Sequence, residues 1–278
     1  MVIFKSLCSA PAKIGLLMAV VTASASCSLK EDRDGCPCHL IIGLEQAVGN
    51  GNAGIFIFQD GYKALTDNVE PSEYPEGYYS DVRRAPATIT VIQGLREGIV
   101  NEEELIIRDG YDADRLFLHN ETLECGSETV RTSADLHKNW STLEISLVTG
   151  DGTTMDNADD GNIVSIDLSG VICGINLKTG KPIKGQFRCN ARLSDSNFAV
   201  YSVNLPRQGS AGDSILISVK KGEKEVLSCD ISEAISNAGF DWSKPDLDDI
   251  RLMLDYVSAE FCIEIAGWDS GTESDKVI

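Results

Sequence analysis

The residue with the most specific chemical setting in this 278-residue chain is Cys27. It directly follows the small residues Ala23–Ser26, at the end of a short apolar run, Ile14–Ala25, which two lysines precede. A positive start, a short apolar segment and small residues before a cleavage point are typical of an export signal, and this run is far shorter than the ~20 residues that cross a bilayer. A cysteine at this position is typical of a lipoprotein signal. We therefore predict cleavage between Ser26 and Cys27 and attachment of lipid to the Cys27 thiol.

The signal also fits a second interpretation. Ser24 stands where a lipoprotein signal usually carries Leu or Val, so an ordinary export signal followed by an incidental cysteine stays open. In the lipoprotein interpretation, residues 1–26 are the signal peptide and residues 27–37 form a lipidated tether. No later segment is long and apolar enough to span a bilayer, so we expect the lipid to be the membrane anchor.

The cysteines beyond Cys27 are odd in number, so at least one is expected to stay unpaired or to pair between chains. Export permits disulfide bonds. However, Cys173, Cys189 and Cys262 lie in alternating apolar runs, where a cysteine is more often a small buried hydrophobe. The sequence assigns no disulfide pairs among these cysteines, which are Cys36, Cys38, Cys125, Cys173, Cys189, Cys229 and Cys262.

The segment Cys36-Pro37-Cys38 resembles part of a metal or redox motif. Its spacing is CxC rather than CxxC, and no second Cys/His pair follows at a suitable distance. A structural zinc site needs four ligands. We favour the interpretation that the rigid Pro37 marks the junction between the tether and the first strand, with one of the two cysteines available to pin that strand by a disulfide.

Asp156, Asp160 and Asp167 are candidate ligands of a calcium site. They occupy positions one, five and twelve of a loop with Gly161 at position six, as in an EF-hand. Position three is Ala158, position twelve lacks the usual bidentate Glu, and the flanking residues have a strand pattern rather than a helix pattern. We therefore favour an acidic linker that leads into a strand, and we predict no metal site.

The histidines are His39, His119 and His137, and they are the candidates for imidazole catalysis. The sequence contains no HExxH spacing, no GxSxG turn and no phosphate-binding glycine loop. We therefore predict no enzyme activity and no cofactor. A hydrolase is kept as an alternative, which would require a polar pocket with His119 or His137 near a nucleophile.

The charge of the chain excludes one class of partner. The formal net charge is −19 at pH 7, and removal of the signal with its two lysines makes the remainder more negative still. Such a surface repels nucleic acids and anionic membrane surfaces. We therefore predict no nucleic-acid binding, and no motif indicates a small-molecule substrate.

The elements that must position these residues are mainly β-strands. Apolar and polar residues alternate through most of the chain, as in Leu143–Leu147 and Ala199–Leu205, with Gly, Asn, Asp and Pro between the runs. The odd-numbered residues of Val171–Leu177 are expected on one buried face. This pattern predicts an all-β protein of the sandwich class. One short helix is predicted over Ile231–Ala238, capped by Asp230.

A polar, acidic and glycine-bearing segment near the middle of the chain predicts a division into two domains of similar size. We place an N-terminal β-sandwich domain at 38–150, a linker at 151–161 and a C-terminal β-sandwich domain at 162–278. The short helix belongs to the second domain.

Several segments resemble the FimB-type fimbrial anchor lipoproteins of Bacteroidales. After Cys27, the acidic stretch Ser28–Pro37 (SLKEDRDGCP) is similar to the opening of the mature proteins of that family. Gly54–Gly61 resembles an early strand and turn of their first domain, and Asp112–Leu147, which includes Leu136–Lys138, resembles its closing strands. The similar segments of the second domain are Leu205–Arg207, Phe240–Trp242, Leu247–Ile250 and Ile265–Trp268.

The resemblance implies two tandem transthyretin-like β-sandwich domains and a place at the base of a fimbria, where the protein tethers the fibre to the outer membrane and limits its length. It implies no enzyme activity and no cofactor. The expected partners are fimbrial stalk or accessory subunits, joined by strand addition. Few and mostly polar residues follow the last alternating run, which ends at Trp268, so we expect this chain to accept a strand and not to donate one. The expected location is the outer membrane, lipid-anchored and surface-exposed.

The alternative function is a surface lipoprotein that binds glycan or protein ligands. Glu70–Arg84 is irregular in pattern and is predicted to be a surface loop, and exposed Tyr74, Tyr78 and Tyr79 would suit such a role. The same tyrosines could instead cover the base of the loop, which we favour. An open, hydrophobic sheet groove would favour the fimbrial anchor, and a concave aromatic platform would favour the binding module.

Overall fold

Alternating apolar and polar residues form strands throughout the part of the chain that the computed structural model describes, which comprises residues 36–47, 51–62, 64–149, 153–155, 164–195, 198–255 and 257–267. The predicted all-β class is confirmed. The described elements are β1 (Cys38–Gly43), β2 (Ala53–Phe58), β3 (Leu65–Val69), β4 (Tyr78–Val82), β5 (Pro86–Gln93), β6 (Ile99–Asn101), β7 (Glu104–Ile106), β8 (Phe117–Glu124), β9 (Thr129–Ser133), β10 (His137–Lys138), β11 (Trp140–Leu147), β12 (Val164–Asn176), β13 (Lys181–Asn190), β14 (Arg192–Asp195), β15 (Val200–Pro206), β16 (Ile215–Lys221), β17 (Lys224–Asp230), α1 (Ser232–Asn237), β18 (Asp249–Asp255) and β19 (Glu260–Ala266), with short 3₁₀ turns at Glu45–Ala47 and Pro71–Glu73.

Strands of the first half form two sheets around a shared hydrophobic core. One sheet has the order β4-β1-β9, with β1 antiparallel to β4 and parallel to β9, and the other has the order β10-β8-β5-β2-β3. Cys38, Leu40 and Ile42 of β1 are fully buried, because alternate side chains of a strand point to the same face. They pack in one cluster with Ile55 and Ile89 of the second sheet.

Strands of the second half form two larger sheets. Their orders are β14-β15-β11-β18-β19 and β17-β16-β12-β7-β6, with β13 paired to the other side of β12. Leu143 and Ile145 of β11 and Ile166 and Leu168 of β12 are almost completely buried in the second core. Ile235 places helix α1 against the same core.

A short hairpin of the first half, β6–β7, belongs to a sheet of the second half. Leu105 of β7 lies opposite Ile175 of β12 in an antiparallel pairing. These two residues and Leu177 pack with Phe56 and Phe58 from the outer face of the β10-β8-β5-β2-β3 sheet. The hairpin and this third apolar cluster therefore connect the two sandwiches.

Strand pairing also bears on the division of the chain. Strand β11, which the sequence-based division assigns to residues 38–150, pairs with β15 and β18 of the second half. The division into 38–150, 151–161 and 162–278 remains a proposal. The pairing of strands alone would place the change from the first sandwich to the second between Lys138 and Trp140.

Strand β4 forms inside Glu70–Arg84, which was expected to be a loop, and that expectation is wrong for this part of the segment. Tyr78, Ser80 and Val82 are buried alternately, and the strand pairs with β1 along its whole length. Because the polar Ser80 occupies one of the buried positions, the apolar alternation that would indicate a strand is absent from the sequence.

Strand β12 does not present the single face that its alternation predicts. Val171 is 38% exposed, whereas its neighbour Ile172 is 1% exposed. The pairing with β13 shifts register on each side of Ile172, between Gly170 and Gly174. A bulge changes which residues face the core, so the expected burial is wrong for Val171, although it holds for Ile175.

The predicted helix is present as α1. Its N-cap position is Ile231 rather than Asp230, but the Asp230 carboxylate accepts a hydrogen bond from the Ser232 amide at 2.9 Å, so it still satisfies the first turn. Among the described residues, no helix has the length and apolar composition needed to cross a membrane.

Candidate functional site

The structure gives Asp167 a structural role. Its carboxylate pairs with Lys220 of β16 and accepts a hydrogen bond from the side-chain amide of Asn190 of β13 at 3.0 Å. These two contacts join β12 to the strands on either side of it. The described residues contain no group of three or more His, Cys, Asp or Glu side chains that could hold a metal ion. The other predicted site residues lie outside the described part of the chain: Ser26, Cys27, Asp156 and Asp160.

The two histidines named for a hydrolase face carboxylates and backbone groups. The Asp135 amide donates to His119 Nδ1 at 3.2 Å, and the other ring nitrogen of His119 is 3.6 Å from the Glu121 carboxylate. His137 lies between Asp246 and Asp135, at 3.1 and 3.3 Å. Within the described residues, neither histidine ring is hydrogen-bonded to a Ser, Thr or Cys side chain.

Tyr74 and Tyr78 of the predicted loop cover the first core, as expected, whereas that expectation is wrong for Tyr79. Tyr78 is buried, and Tyr74 packs against it with ring centroids 5.6 Å apart. Burial and a hydrogen bond to Asp67 raise the pKa of Tyr78 to about 12. Tyr79 is exposed, and its hydroxyl donates to Asp81 at 2.6 Å. The three rings therefore do not form a concave platform.

The cysteines that were expected to be buried hydrophobes differ from one another. Cys189 is buried in the second core, Cys173 is partly buried, and Cys262 is exposed, so the expectation is wrong for Cys262. Cys262 lies on β19, an edge strand that is mostly exposed. Cys36 is exposed whereas Cys38 is buried, so their thiols do not face a common metal site.

An open groove of about 1260 Å³ runs along the outer face of the sheet that ends in β3. Gly54 and Phe56 of β2 and Ile92 of β5 line its floor, and Leu95 and Val100, from the loop and hairpin that follow β5, line the opposite wall. We call this feature the β3 groove. A second cavity, between the two sandwiches, measures about 30 Å³ and has room for about one water molecule.

The wall of the β3 groove is held in place by two local interactions. Gly94 has a φ of +90°, and a Cβ at this position would lie 2.2 Å from the Arg115 carbonyl oxygen, so only glycine allows this approach. The Asp114 carboxylate then accepts hydrogen bonds from the backbone amides of Arg96 and Gly98 at 3.0 and 2.9 Å. These contacts fix the direction in which the chain leaves β5.

The β3 groove includes a sheet edge. Among the described strands, β3 is the last of its sheet and pairs with β2 alone. Thr66 and Asn68 lie opposite Phe56 and Gly54, on the face that the groove covers, while Asp67 also lines the groove although it lies opposite a core residue. The groove therefore extends over the edge of β3, where the Asn68 amide donates to the Asp67 carboxylate at 2.8 Å and other backbone N–H and C=O groups are available for pairing.

Three exposed apolar side chains lie together in the β3 groove. A contiguous apolar patch is typical of an interaction surface, whereas scattered exposed apolar residues are normal. Tyr62, Leu95 and Val100 line the groove. Their exposed fractions are 51% for Tyr62, 38% for Leu95 and 37% for Val100.

Charged residues stand at the rim. The Lys178 ammonium is 3.0 Å from the Asp60 carboxylate and 3.8 Å from that of Glu103. The hydrogen bond to Asp60 raises the pKa of Lys178, so this side chain stays protonated at neutral pH. The groove thus has an apolar interior and a rim that carries both signs of charge.

A buried polar cluster lies outside the groove, where the chain passes from β10 to β11. Lys138 is fully buried, and its ammonium donates to the Asp249 carboxylate at 2.6 Å and to the Leu247 carbonyl at 3.0 Å. The Lys138 amide donates to Asp246 at 2.7 Å. An ammonium without these partners would be costly at full burial, so the cluster fixes the segment before β18 against β10.

Arg207 completes this cluster. Its guanidinium donates to the carbonyl oxygens of Trp242, Lys244 and Pro245 at 2.6 to 2.7 Å, and its Nε donates to the Asn139 side chain at 2.7 Å. Burial lowers the pKa of Arg207. Four of the segments that resemble the fimbrial anchor family meet at this cluster, although their spacing in the sequence does not predict this contact. They are Leu136–Lys138, Leu205–Arg207, Phe240–Trp242 and Leu247–Ile250.

Comparison with known proteins finds similarity at the level of structure. No protein-family model and no curated protein sequence matches the chain. The fimbrial anchor protein Mfa2 from Porphyromonas gingivalis superposes with a TM-score of 0.56 and 12% identity, over 84% of this chain and 98% of that one. A candidate adhesin from Bacteroides ovatus gives 0.55 and 11%, over 86% and 97%. A candidate polysaccharide-binding protein from Bacteroides thetaiotaomicron gives 0.57 and 10%, over 86% and 100%.

These identities are low, and the likeness is one of fold. The superpositions cover nearly the whole length of each solved structure and most of this chain, so the shared architecture is not confined to one sandwich. The chain therefore has the fold of Bacteroidales surface proteins that include a fimbrial anchor, which confirms at this level the resemblance seen in its sequence.

Proposed function

We propose that the chain is a lipid-anchored fimbrial subunit, which tethers a fimbria to the outer membrane through Cys27 and accepts a strand from a neighbouring fimbrial subunit. The fold shared with a fimbrial anchor protein supports this role. The observation that carries it is the β3 groove, where a sheet edge and exposed apolar side chains occur together. A subunit that accepts a strand and donates none ends the fibre, and this would limit its length.

The geometry of the groove supports strand addition at β3. An extended segment laid beside β3 would hydrogen-bond to backbone groups at its outer edge and lengthen the β10-β8-β5-β2-β3 sheet by one strand. Its alternate side chains would point into the groove and cover the exposed parts of Leu95 and Val100. The backbone pairing would give affinity that is independent of sequence, and the apolar contacts would select the partner strand.

Charged substitutions in the β3 groove test the proposed acceptor site. Leu95→Lys and Val100→Lys place an ammonium where apolar contacts are expected, and each should weaken capture of the partner by about tenfold or more, which corresponds to ~1.4 kcal/mol. Leu216→Lys is the matched control, because Leu216 is 41% exposed on β16 and does not line the groove. The measurement is the amount of fimbrial subunit that co-purifies with the intact lipoprotein.

The proposed acceptor site predicts strong loss of the co-purifying subunit in both groove variants and full recovery in Leu216→Lys. Equal recovery from all three variants would remove the β3 groove from the proposal. If no fimbrial subunit is recovered with the wild-type lipoprotein, the fimbrial role itself is wrong.

The lipid anchor is tested separately at Cys27. Cys27→Ala removes the thiol that would carry the lipid, so we expect the protein to leave the outer-membrane fraction and the fibres to be shed into the medium. Mass analysis of the wild-type N-terminus checks for the lipid directly. Cys36→Ala is the control, because Cys36 lies outside the predicted lipidation site. Fibres that stay attached to cells carrying Cys27→Ala would contradict the tethering role.

A surface module that binds glycan or protein ligands is the second candidate. Tyr62 is half exposed in the β3 groove, and the Arg83 guanidinium lies 3.9 Å from its ring centroid. Such an aromatic ring can stack on a sugar, and one structure with the same fold is a candidate polysaccharide-binding protein. In that case Tyr62→Ala would abolish retention on a glycan array and leave co-purification of a fimbrial subunit unchanged.

A further inference from the structure

Cys38 and Cys125 meet in the core of the first sandwich. Cys38 is the first residue of β1, and Cys125 directly follows β8 of the opposite sheet. Both side chains are completely buried, and both belong to the same apolar cluster. The Cys38 thiol lies near enough to Cys125 to contribute, after burial, to the raised pKa of the Cys125 thiol.

The backbone holds these positions together as well. The His39 amide donates to the Glu128 carbonyl at 2.8 Å, and β9 runs parallel to β1 from Thr129 onward. The segment from Cys125 to Glu128 is therefore the connection by which the chain passes from one sheet to the other, alongside the start of β1. The contact between the thiols does not depend on side-chain rotation alone.

The other described cysteines have different neighbours. Cys173 donates to the Ile183 carbonyl at 3.7 Å, and Cys189, Cys229 and Cys262 lie opposite Leu168, Ile217 and Met253 in their strand pairings.

We propose that Cys38 and Cys125 form a disulfide bond in the exported protein. The two thiols together lose two protons and two electrons as the S–S bond forms. A disulfide compound, such as oxidised glutathione or a disulfide-bonded thiol oxidase, takes these up by thiol–disulfide exchange and is reduced to two thiols. An exported protein meets such oxidants outside the cytoplasm.

The surroundings of the pair set when the bond forms. Burial, together with the adjacent Cys38, raises the pKa of the Cys125 thiol to about 11. The thiolate is the form that reacts, so in the folded protein this thiol is both neutral and hidden from reagents. The bond is therefore expected to form during folding, before the core closes, and to resist reduction afterwards.

The disulfide would fasten the first strand to the opposite sheet. In the proposed anchor, on which this step rests, the pull of the fibre reaches the membrane through the residues between Cys27 and Cys38. Without the bond, this load passes through the hydrogen bonds of β1 to β4 and β9. With the bond, it passes from Cys38 directly to Cys125 and so to β8, and β1 cannot be drawn out of its sheet.

Peptide mapping of the exported lipoprotein, extracted in detergent, tests the bond itself. The protein is denatured, alkylated without reduction and digested with trypsin, which separates residues 34–63, with Cys36 and Cys38, from residues 116–131, with Cys125. We expect these two peptides to be linked in the wild type and in Cys36→Ala, and not in Cys38→Ala. Full alkylation of both peptides in the wild type, or a link that persists in Cys38→Ala, would overturn the proposal.

Thermal unfolding gives a second readout. The bond closes a loop of about 87 residues, and its reduction should lower the melting temperature of the wild type by roughly 5–15 °C. Cys38→Ala combined with Cys125→Ala should show the same melting temperature with and without reductant, whatever its own stability. If the wild type, shown by alkylation to be reduced, melts at the unreduced temperature, the bond does not stabilise the first sandwich and the fastening role is wrong.

Single-molecule stretching tests the mechanical consequence and needs no fimbria. The full chain is held by its two ends, and the total length released on unfolding is measured. The disulfide should shorten this length by about 300 Å, since about 87 residues at ~3.4 Å each remain locked. Equal lengths before and after reduction would contradict the fastening role, whereas a failure of the anchor function would leave this result unchanged.

Discussion

Lys138 is a charged side chain at a position of complete burial, and its partners explain why the charge is tolerated. The ammonium is satisfied by Asp249 and the Leu247 carbonyl, and it lies 5.2 Å from the centroid of the Trp140 ring. Asp246 receives the Lys138 amide. The network crosses from β10 to the segment before β18, so a single residue at the changeover between the two sandwiches joins distant parts of the sequence.

Removal of this ammonium should be strongly destabilising. Lys138→Ala leaves the partly buried Asp249 carboxylate without its counter-charge and opens a cavity, and we expect a loss of about 3 kcal/mol in the free energy of unfolding. Lys184→Ala is the control, because Lys184 is exposed and lies 3.6 Å from Asp213, an arrangement worth at most ~1 kcal/mol. The measurement is urea denaturation, and similar losses in the two variants would contradict the role given to Lys138.

Contacts between residues far apart in the chain could not be predicted from the sequence. The three segments around Lys138, Arg207 and Asp249 could be marked from their resemblance to a family, but their convergence depends on pairings between residues far apart in the chain. Cys38 and Cys125 are a similar case, since their contact follows from a crossover between sheets that no local pattern encodes. Tyr78 was correctly expected to cover apolar surface, because a tyrosine on an otherwise polar stretch usually packs on what lies beneath it.

The hairpin β6–β7 is the element whose position carries the most consequence. It lies in the first half of the chain, but it completes a sheet of the second half and forms one wall of the β3 groove. Gly174 makes the pairing possible, because a Cβ at this position would lie 2.2 Å from the Leu105 carbonyl oxygen. No conformation of β7 beside β12 accommodates a side chain there without separating the strands.

A single methyl group at Gly174 should therefore displace the hairpin. For Gly174→Ala we expect a loss of about 1–3 kcal/mol in the free energy of unfolding, which is typical of overpacking. Amide hydrogen exchange should become faster in Ile99–Ile106, the two strands of the hairpin, and the groove wall should loosen. Gly126→Ala is the control, because no atom lies within 4 Å of the position of its added Cβ. Unchanged exchange in the hairpin would show that the close approach is not required.

At the scale of elements, the sequence was informative where alternation was strict. Leu143–Leu147 and Ala199–Leu205 form β11 and β15 because each places apolar residues on one face throughout. The sequence pattern did not predict a strand where a polar residue takes a buried position, as Ser80 does in β4. It also did not predict which residues are buried where bulges exchange the two faces of a strand, as on either side of Ile172 in β12. Both are effects of tertiary packing, which a local pattern does not contain.

Hydrogen-bonded carboxylates in three parts of the fold make the stability of the molecule sensitive to low pH. Asp81, Asp241 and Asp255 lie in different parts of the fold, and each has a lowered pKa. The causes are hydrogen bonds to the carboxylates, from Tyr79 to Asp81, from Ser243 to Asp241 and from the Val257 amide to Asp255. Groups whose pKa is lower in the folded state stabilise it above the pKa of the unfolded state, and this contribution is lost as pH falls through the folded pKa.

We therefore expect the free energy of unfolding to be nearly constant from neutral pH down to about pH 4, the ordinary pKa of Asp, and to decrease below it. Chemical denaturation at a series of pH values checks this. Asp241→Asn keeps one acceptor oxygen but does not titrate, so the free energy of unfolding of this variant should decrease less steeply below pH 4 than that of the wild type. Stability that increases as the pH is lowered below 4 would contradict the assignment.

The sequence predicts the fold class of the molecule but not the position of the β3 groove. The all-β class follows from the period of the hydrophobic pattern, and an open sheet groove was among the features named in advance as favouring an anchor. The location of that groove could not be predicted, because it depends on β6–β7 leaving its own half to pair with β12. A groove whose shape depends on pairing between the two halves of the chain therefore has no signal in the local sequence pattern.

The central position of β1 has a consequence for the order in which the protein can mature. Strand β1 is the first of the described strands, but its two neighbours, β4 and β9, end at Val82 and Ser133. A chain that is delivered across a membrane from its N-terminus brings β1 out with both edges unpaired, and its parallel partner follows only after about 90 more residues, an extended length of some 300 Å. During that interval β1 is open to pairing with other chains. If the chain is the exported anchor proposed above, β9 has to cross the membrane before a strand of another fimbrial subunit pairs with β1.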